Sequence, residues 1–144
     1  MYLDELTLNA VYELPEVKIE KERMTEFARL YDPLPLHLDE DYAKCTRFGG
    51  MIAPGVMSFM SVWAKFVDMD LFGEALIAGK STKIEWFKPV FAGDVLRGTV
   101  RISRIERRNS HNGIAEVTVE VRNQHDVLVL TDVTESILKY KNVE

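Results

Sequence analysis

The chain has 144 residues, a net charge of −5, 47% hydrophobic residues and 28% charged ones. That length and balance predict one soluble globular domain, residues 1–144, large enough to bury a real core. An acidic chain without a basic run argues against nucleic-acid binding, and no stretch reads as a signal peptide or a membrane span.

The single cysteine, Cys45, cannot close an internal disulfide, which fits a reducing cytoplasm. With no nucleophile signature around it, it reads as a small buried or half-buried filler. The three histidines, His37, His111 and His125, are too scattered for a metal cluster, so neither a metal nor another cofactor is implied.

Residues 1–19 begin polar and alternate weakly around Val11-Tyr12-Glu13-Leu14 and Val17-Lys18-Ile19, enough for at most a short strand. From Lys21 onward Met24, Phe27, Ala28 and Tyr31 recur at helical spacing, with Glu22, Arg23, Glu26 and Arg29 on the other side. That helix has to stop at about Tyr31. The next residues are Asp32-Pro33-Leu34-Pro35-Leu36-His37-Leu38-Asp39, and each proline fixes its own φ and pushes the residue before it out of helical geometry. Asp32 and Leu34 are therefore predicted to be extended, with Asp32 and His37 on a short, stiff arch. On their own these residues fit a proline-rich turn with a capping aspartate and a solvated histidine better than a site.

Asp39 is placed to cap a second, shorter helix carrying Tyr42, Ala43 and Cys45, which ends before Gly49-Gly50. Pro54-Gly55 then opens a helix over residues 54–67. It is apolar on nearly every side, with Lys65 its only charge before Asp68. A helix of that kind must be surrounded by protein, so something must wrap it.

The second half supplies the wrapper. Thr82, Ile84 and Trp86 alternate with Lys83, Glu85 and Phe87, and Leu96, Val100 and Ile102 with Arg97, Thr99 and Arg101. Val117, Val119 and Val121 alternate with Glu116, Thr118 and Glu120, and residues 127–140 carry a further strand. Asn112-Gly113 reads as a tight turn and Asn123-Gln124-His125-Asp126 as a looser one, with another at Phe91-Ala92-Gly93-Asp94. The predicted class is α+β, an antiparallel sheet with one apolar face wrapped around a long central helix.

The arch, followed by Phe48-Gly49-Gly50-Met51-Ile52-Ala53-Pro54-Gly55 and later by Trp86-Phe87-Lys88-Pro89-Val90 and Gly93-Asp94, resembles the MaoC-like dehydratases. These are (R)-specific enoyl-CoA hydratases and their relatives, with a hot-dog fold, and the likeness spans roughly residues 20–138. Three positions depart from the family pattern. Leu34 stands where Asn or Gln is usual, Pro54 where many members have His, and Trp63 near the level of a small polar residue.

The resemblance implies that Asp32 and His37 hold one water against the double bond of a trans-2-enoyl thioester. The uncovered amides near Gly55 would stabilise the thioester oxyanion. One of Asp32 and His37 takes a proton from water while a proton reaches the carbon next to the carbonyl. Met57, Phe59, Met60, Trp63 and Phe66 read mostly as core, and a subset of them, Met57, Met60 and Trp63, would line the acyl tunnel. Arg47, Lys83, Lys88, Arg97 and Arg101 are within reason as partners of coenzyme A phosphates, although each fits a solvated face better.

The implied substrate is a coenzyme A or acyl-carrier-protein thioester, and the implied assembly a homodimer or larger. Two other readings share the fold. One is an acyl-CoA thioesterase, disfavoured because the central helix has no carboxylate before Asp68; the other is a non-catalytic acyl-binding partner subunit.

Overall fold

A computed structural model describes residues 1–142. Its frame is one antiparallel sheet. The strands are β1 (Val11–Glu13), β2 (Val17–Lys18), β3 (Leu76–Trp86), β4 (Val95–Arg107), β5 (Asn112–Arg122) and β6 (Leu128–Lys139). The order across the sheet is β1-β4-β5-β6-β3, with β2 also on the outer edge of β4. The weak alternation near the N-terminus thus yields two short strands, both riding on β4.

Period-two patterning decides which face of the sheet is inside. Leu96, Val100 and Ile102 on β4 and Val117, Val119 and Val121 on β5 are fully buried. Their polar alternates face away, as the sequence predicts. One inward row runs Val100, Val119, Asp132, Ile84 across four strands.

Helix α4 (Gly55–Asp68) lies against that inward face, and its Met57, Phe59, Val62 and Phe66 join the strand valines in one core. This is the hot-dog arrangement that the resemblance implies. The wrapping is incomplete within one chain, however. Val56, Met60 and Val67 form a stripe along α4 that is 46%, 47% and 58% exposed. An apolar composition all round shows that a helix is to be covered, but not which side its own chain leaves open.

The other helices are α1 (Lys21–Tyr31), α2 (Pro35–Leu38) and α3 (Glu40–Lys44). Asp39 caps α3 by accepting the Tyr42 amide at 3.1 Å, a contact worth about 0.5–2 kcal/mol in such positions. The predicted turns at residues 91–94 and 123–126 form, with Gly93 at φ 88° and Asp126 at φ 60°.

Two expectations need correcting. Cys45 is exposed rather than a filler. Asn112-Gly113 is not the turn either; both residues already belong to β5, where Gly113 pairs with Arg107. The chain reverses over residues 108–111, where the Asn109 side-chain oxygen accepts the amides of His111 and Asn112 at 2.8 and 2.9 Å. Gly113 is small for a different reason: a Cβ there would lie 2.3 Å from the Glu106 carbonyl oxygen and 2.5 Å from Leu3.

Candidate active site

The arch is stiffer than an extended loop. Asp32 ends α1, its amide bonded to the Ala28 carbonyl at 2.9 Å, and Leu34 is extended at φ −79°, ψ 141°. Pro35 then starts one helical turn rather than an irregular strap, its missing N–H costing nothing at that first position. His37 sits inside that turn and is 5% exposed.

A second segment locks the histidine. Ile52 bridges to Phe91, and the Ala53 amide bonds the Val90 carbonyl at 2.7 Å. The Ile52 carbonyl oxygen accepts from His37 Nδ1 at 2.7 Å. A carbonyl can only accept, so Nδ1 carries a proton and Nε2 of the neutral ring presents a lone pair. Nε2 lies 3.3 Å from Asp32 Oδ2. Two acceptors so placed suit a water whose two O–H bonds serve one each. Ile52, which holds His37, and Ala53 run straight on into Pro54 and the start of α4, so imidazole and helix N-terminus are held by one strap.

Asp32, His37, Gly55 and Met60 line one cavity of about 1030 Å³. Asp32 stays partly open, its side chain 42% exposed, while His37 closes the back. Gly55 is the first residue of α4, with Pro54 before it. Its amide is among those left without an intrahelical acceptor, and the helix dipole adds positive potential there. Chemically, the cavity offers a paired acid and imidazole on one side and a donor-rich helix start on the other.

Not every predicted residue meets there. Met57 is 7% exposed and packs in the core. Trp63 lines a second cavity, of about 490 Å³, on the other side of Val56 and Met60, which border both. The acyl-tunnel expectation thus keeps Met60 in the first cavity, moves Trp63 to the second and removes Met57 from both. Arg47 and Lys88 border the first cavity, whereas Lys83, Arg97 and Arg101 border neither. His111 and His125 are both exposed, outside the strands.

Sequence reasoning passed over three residues. Phe27 shares the helical face that delivers the chain to Asp32, so its spacing placed it beside the first cavity. Ser58, also on that cavity, is the first polar residue of α4, and its buried hydroxyl has no partner among the described residues. Asp132 is fully buried at an inward position of β6, where alternation calls for an apolar side chain. Burial raises its pKa from 3.8 to about 6, against the lowering effect of the Thr134 hydroxyl that it accepts.

An antiparallel sheet wrapped around one apolar helix defines a hot-dog protein. The chain belongs to the MaoC-like family: the family model for the MaoC like domain matches residues 5–126. That family is one of hydratases and dehydratases, so hydro-lyase chemistry in general goes with membership. The chain is similar to the uncharacterized protein YdeM of Bacillus subtilis (strain 168), with 30% identity over 130 residues, 90% of this chain and 92% of that one. Among solved structures it is similar to the monoamine oxidase regulatory protein of Archaeoglobus fulgidus, with a TM-score of 0.94 and 24% identity; 99% of this chain and 96% of that one are covered. It is also similar to the (R)-hydratase of A. caviae involved in PHA biosynthesis, with a TM-score of 0.74 and 25% identity over 94% of this chain and 98% of that one.

Proposed function

We propose that the protein reversibly hydrates a trans-2-enoyl thioester to the 3-hydroxyacyl thioester. The observation that carries the reading is the Asp32–His37 pair, with Nε2 3.3 Å from Oδ2 and Nδ1 tied to the Ile52 carbonyl. The pair holds one water. The thioester oxygen rests against the amides at the start of α4 near Gly55, so negative charge developing there is stabilised and the third carbon becomes electrophilic. The water oxygen bonds to that carbon as one of Asp32 and His37 accepts its proton. A proton then passes from the pair to the second carbon, which leaves the site as it began. The acyl chain runs along α4 past Met60, and Arg47 and Lys88 at the cavity rim suit the phosphates of a coenzyme A or carrier-protein arm.

The working unit is a homodimer or larger. Support comes from the open stripe of α4 and from β3, eleven residues long, which among the described residues pairs only with β6 and leaves its other edge free. Sedimentation at micromolar concentration tests this, with a monomer as the contrary result.

The test of activity is to mix pure protein with crotonyl-CoA and follow its conjugated ultraviolet absorbance together with free thiol. Loss of absorbance without thiol is the expected outcome. Thiol release would make the protein a thioesterase, and neither change would leave an acyl-binding partner subunit.

A further inference from the structure

The inward face of β6 breaks the rule that its neighbour keeps. On β5 the buried inward residues are Ala115, Val117, Val119 and Val121; on β6 they are Leu130, Asp132, Thr134, Ser136 and Leu138. Three polar groups in a row beneath an apolar helix cost stability, and Asp132 Oδ1 has no partner at all among the described residues. A sheet that needed only to pack would carry aliphatic side chains there.

Thr134 and Ser136 of this row open on the second cavity. Thr82 borders it with them, opposite an aromatic wall in which Phe59, Trp63, Phe66 and Phe72 follow one another at ring separations of 5.0–5.6 Å. Val56 and Met60 border this cavity and the one holding Asp32 and His37. A chain fixed at the start of α4 has to pass only those two side chains to arrive. Trp86 borders the first cavity and Thr82 lies four residues back along β3, a distance of about 13 Å at the usual rise.

The hydrogen bonds give the floor a definite sense. Thr134 Oγ1 donates to Asp132 Oδ2 at 2.6 Å, which uses its only hydrogen. Thr82 Oγ1 is 3.0 Å from Thr134 Oγ1, so between these two Thr82 must be the donor. The lone pairs of Thr82 are then free to accept, and Ser136 adds a hydroxyl beside them. A group that both donates and accepts fits this floor. A ketone and a carboxylate both lack the hydrogen that Thr82 calls for.

We propose that the second cavity is a subsite for a hydroxyl group carried on the acyl chain far from the thioester, read by Thr82 and Ser136 with Asp132 and Thr134 as positioning residues. The inference rests on the enoyl-thioester reading and narrows its substrate class from plain acyl chains to hydroxylated ones.

The test separates binding from turnover. Saturated acyl-CoA probes of about eight to about twelve carbons, the span that ~13 Å sets, are prepared with and without a terminal hydroxyl. Affinities are read from tryptophan fluorescence, with Trp63 on the cavity wall. The hydroxylated chain of matching length is expected to bind about tenfold more tightly, the scale of one well-made hydrogen bond. That preference should fall below about twofold in Thr82→Val and in Ser136→Ala, each checked for wild-type folding and assembly. Equal affinity for both chains, no binding of either, or a preference that survives both substitutions would overturn the subsite. Hydration of crotonyl-CoA is measured on the same preparation. Its absence beside intact hydroxyl preference removes only the hydratase reading, and its presence without that preference removes only the subsite.

Discussion

A Cβ placed on Gly55 would lie 2.5 Å from both Cε2 and Nε1 of Trp86. The indole therefore rests directly on the first turn of α4, where the proposed mechanism places the thioester oxygen. Gly55→Ala forces one of the two to move, and Trp86, half exposed, is the freer. Turnover is expected to fall at least tenfold, about 1.4 kcal/mol, with a shift in tryptophan fluorescence as the ring swings into the cavity. Trp86→Leu added to Gly55→Ala makes room and should restore part of the activity. If Gly55→Ala alone is fully active, the start of α4 is not where the thioester oxygen binds.

Gly113→Ala tests the packing reading of the Asn-Gly pair. The added methyl meets a backbone carbonyl at 2.3 Å, which cannot swing aside as a side chain can. Overpacking of this kind costs about 1–3 kcal/mol, measurable as a lowered urea midpoint. A tight-turn glycine, by contrast, would leave Leu3 and Glu106 untouched, and an unchanged midpoint would contradict the close approach.

Much of this was legible in the chain, and the exceptions share a cause. The prolines around Asp32 and the alternation in β4 and β5 are local constraints, and local constraints are what a sequence displays. The reversal at residues 108–111 depends on one Asn109 side chain folding back onto two amides, which looks no different from any polar loop. The open stripe of α4 was hidden because Val56, Met60 and Val67 are as apolar as the buried Val62. In β6 the polar residues Asp132, Thr134 and Ser136 face inward, so alternation could not say which face was the core. The Asp32–His37 pair stood out through its resemblance to the family's motif, whereas the Ile52 carbonyl that accepts from His37 leaves no mark in residue type.

Asp132 should leave a signature in the pH dependence of stability. Its folded pKa, about 6, lies above the ordinary 3.8 because burial disfavours the charge. Between those values the native state holds more protons than the unfolded chain, so stability declines as pH rises through that window. A shift of that size corresponds to about 3 kcal/mol. Asp132→Asn cannot ionise and escapes the decline. Relative to wild type it should gain stability on going from pH 4 to pH 8, seen as diverging melting temperatures. Parallel curves for the two proteins would mean that Asp132 is not held in a desolvated site.

Whether Asp32 and His37 act on one water is tested most directly by a double-mutant cycle in turnover. Wild type, Asp32→Asn, His37→Ala and the double variant are assayed with an enoyl thioester after folding has been checked in each. General acid–base help is typically worth about 10²–10⁴-fold, so each single variant should lose at least about 100-fold. Groups that work as a unit lose little more when both are gone. The double variant is therefore predicted to be scarcely slower than the poorer single, since the amides near Gly55 persist in all four proteins. Near-normal turnover in either single variant, or losses that multiply, would contradict the shared water.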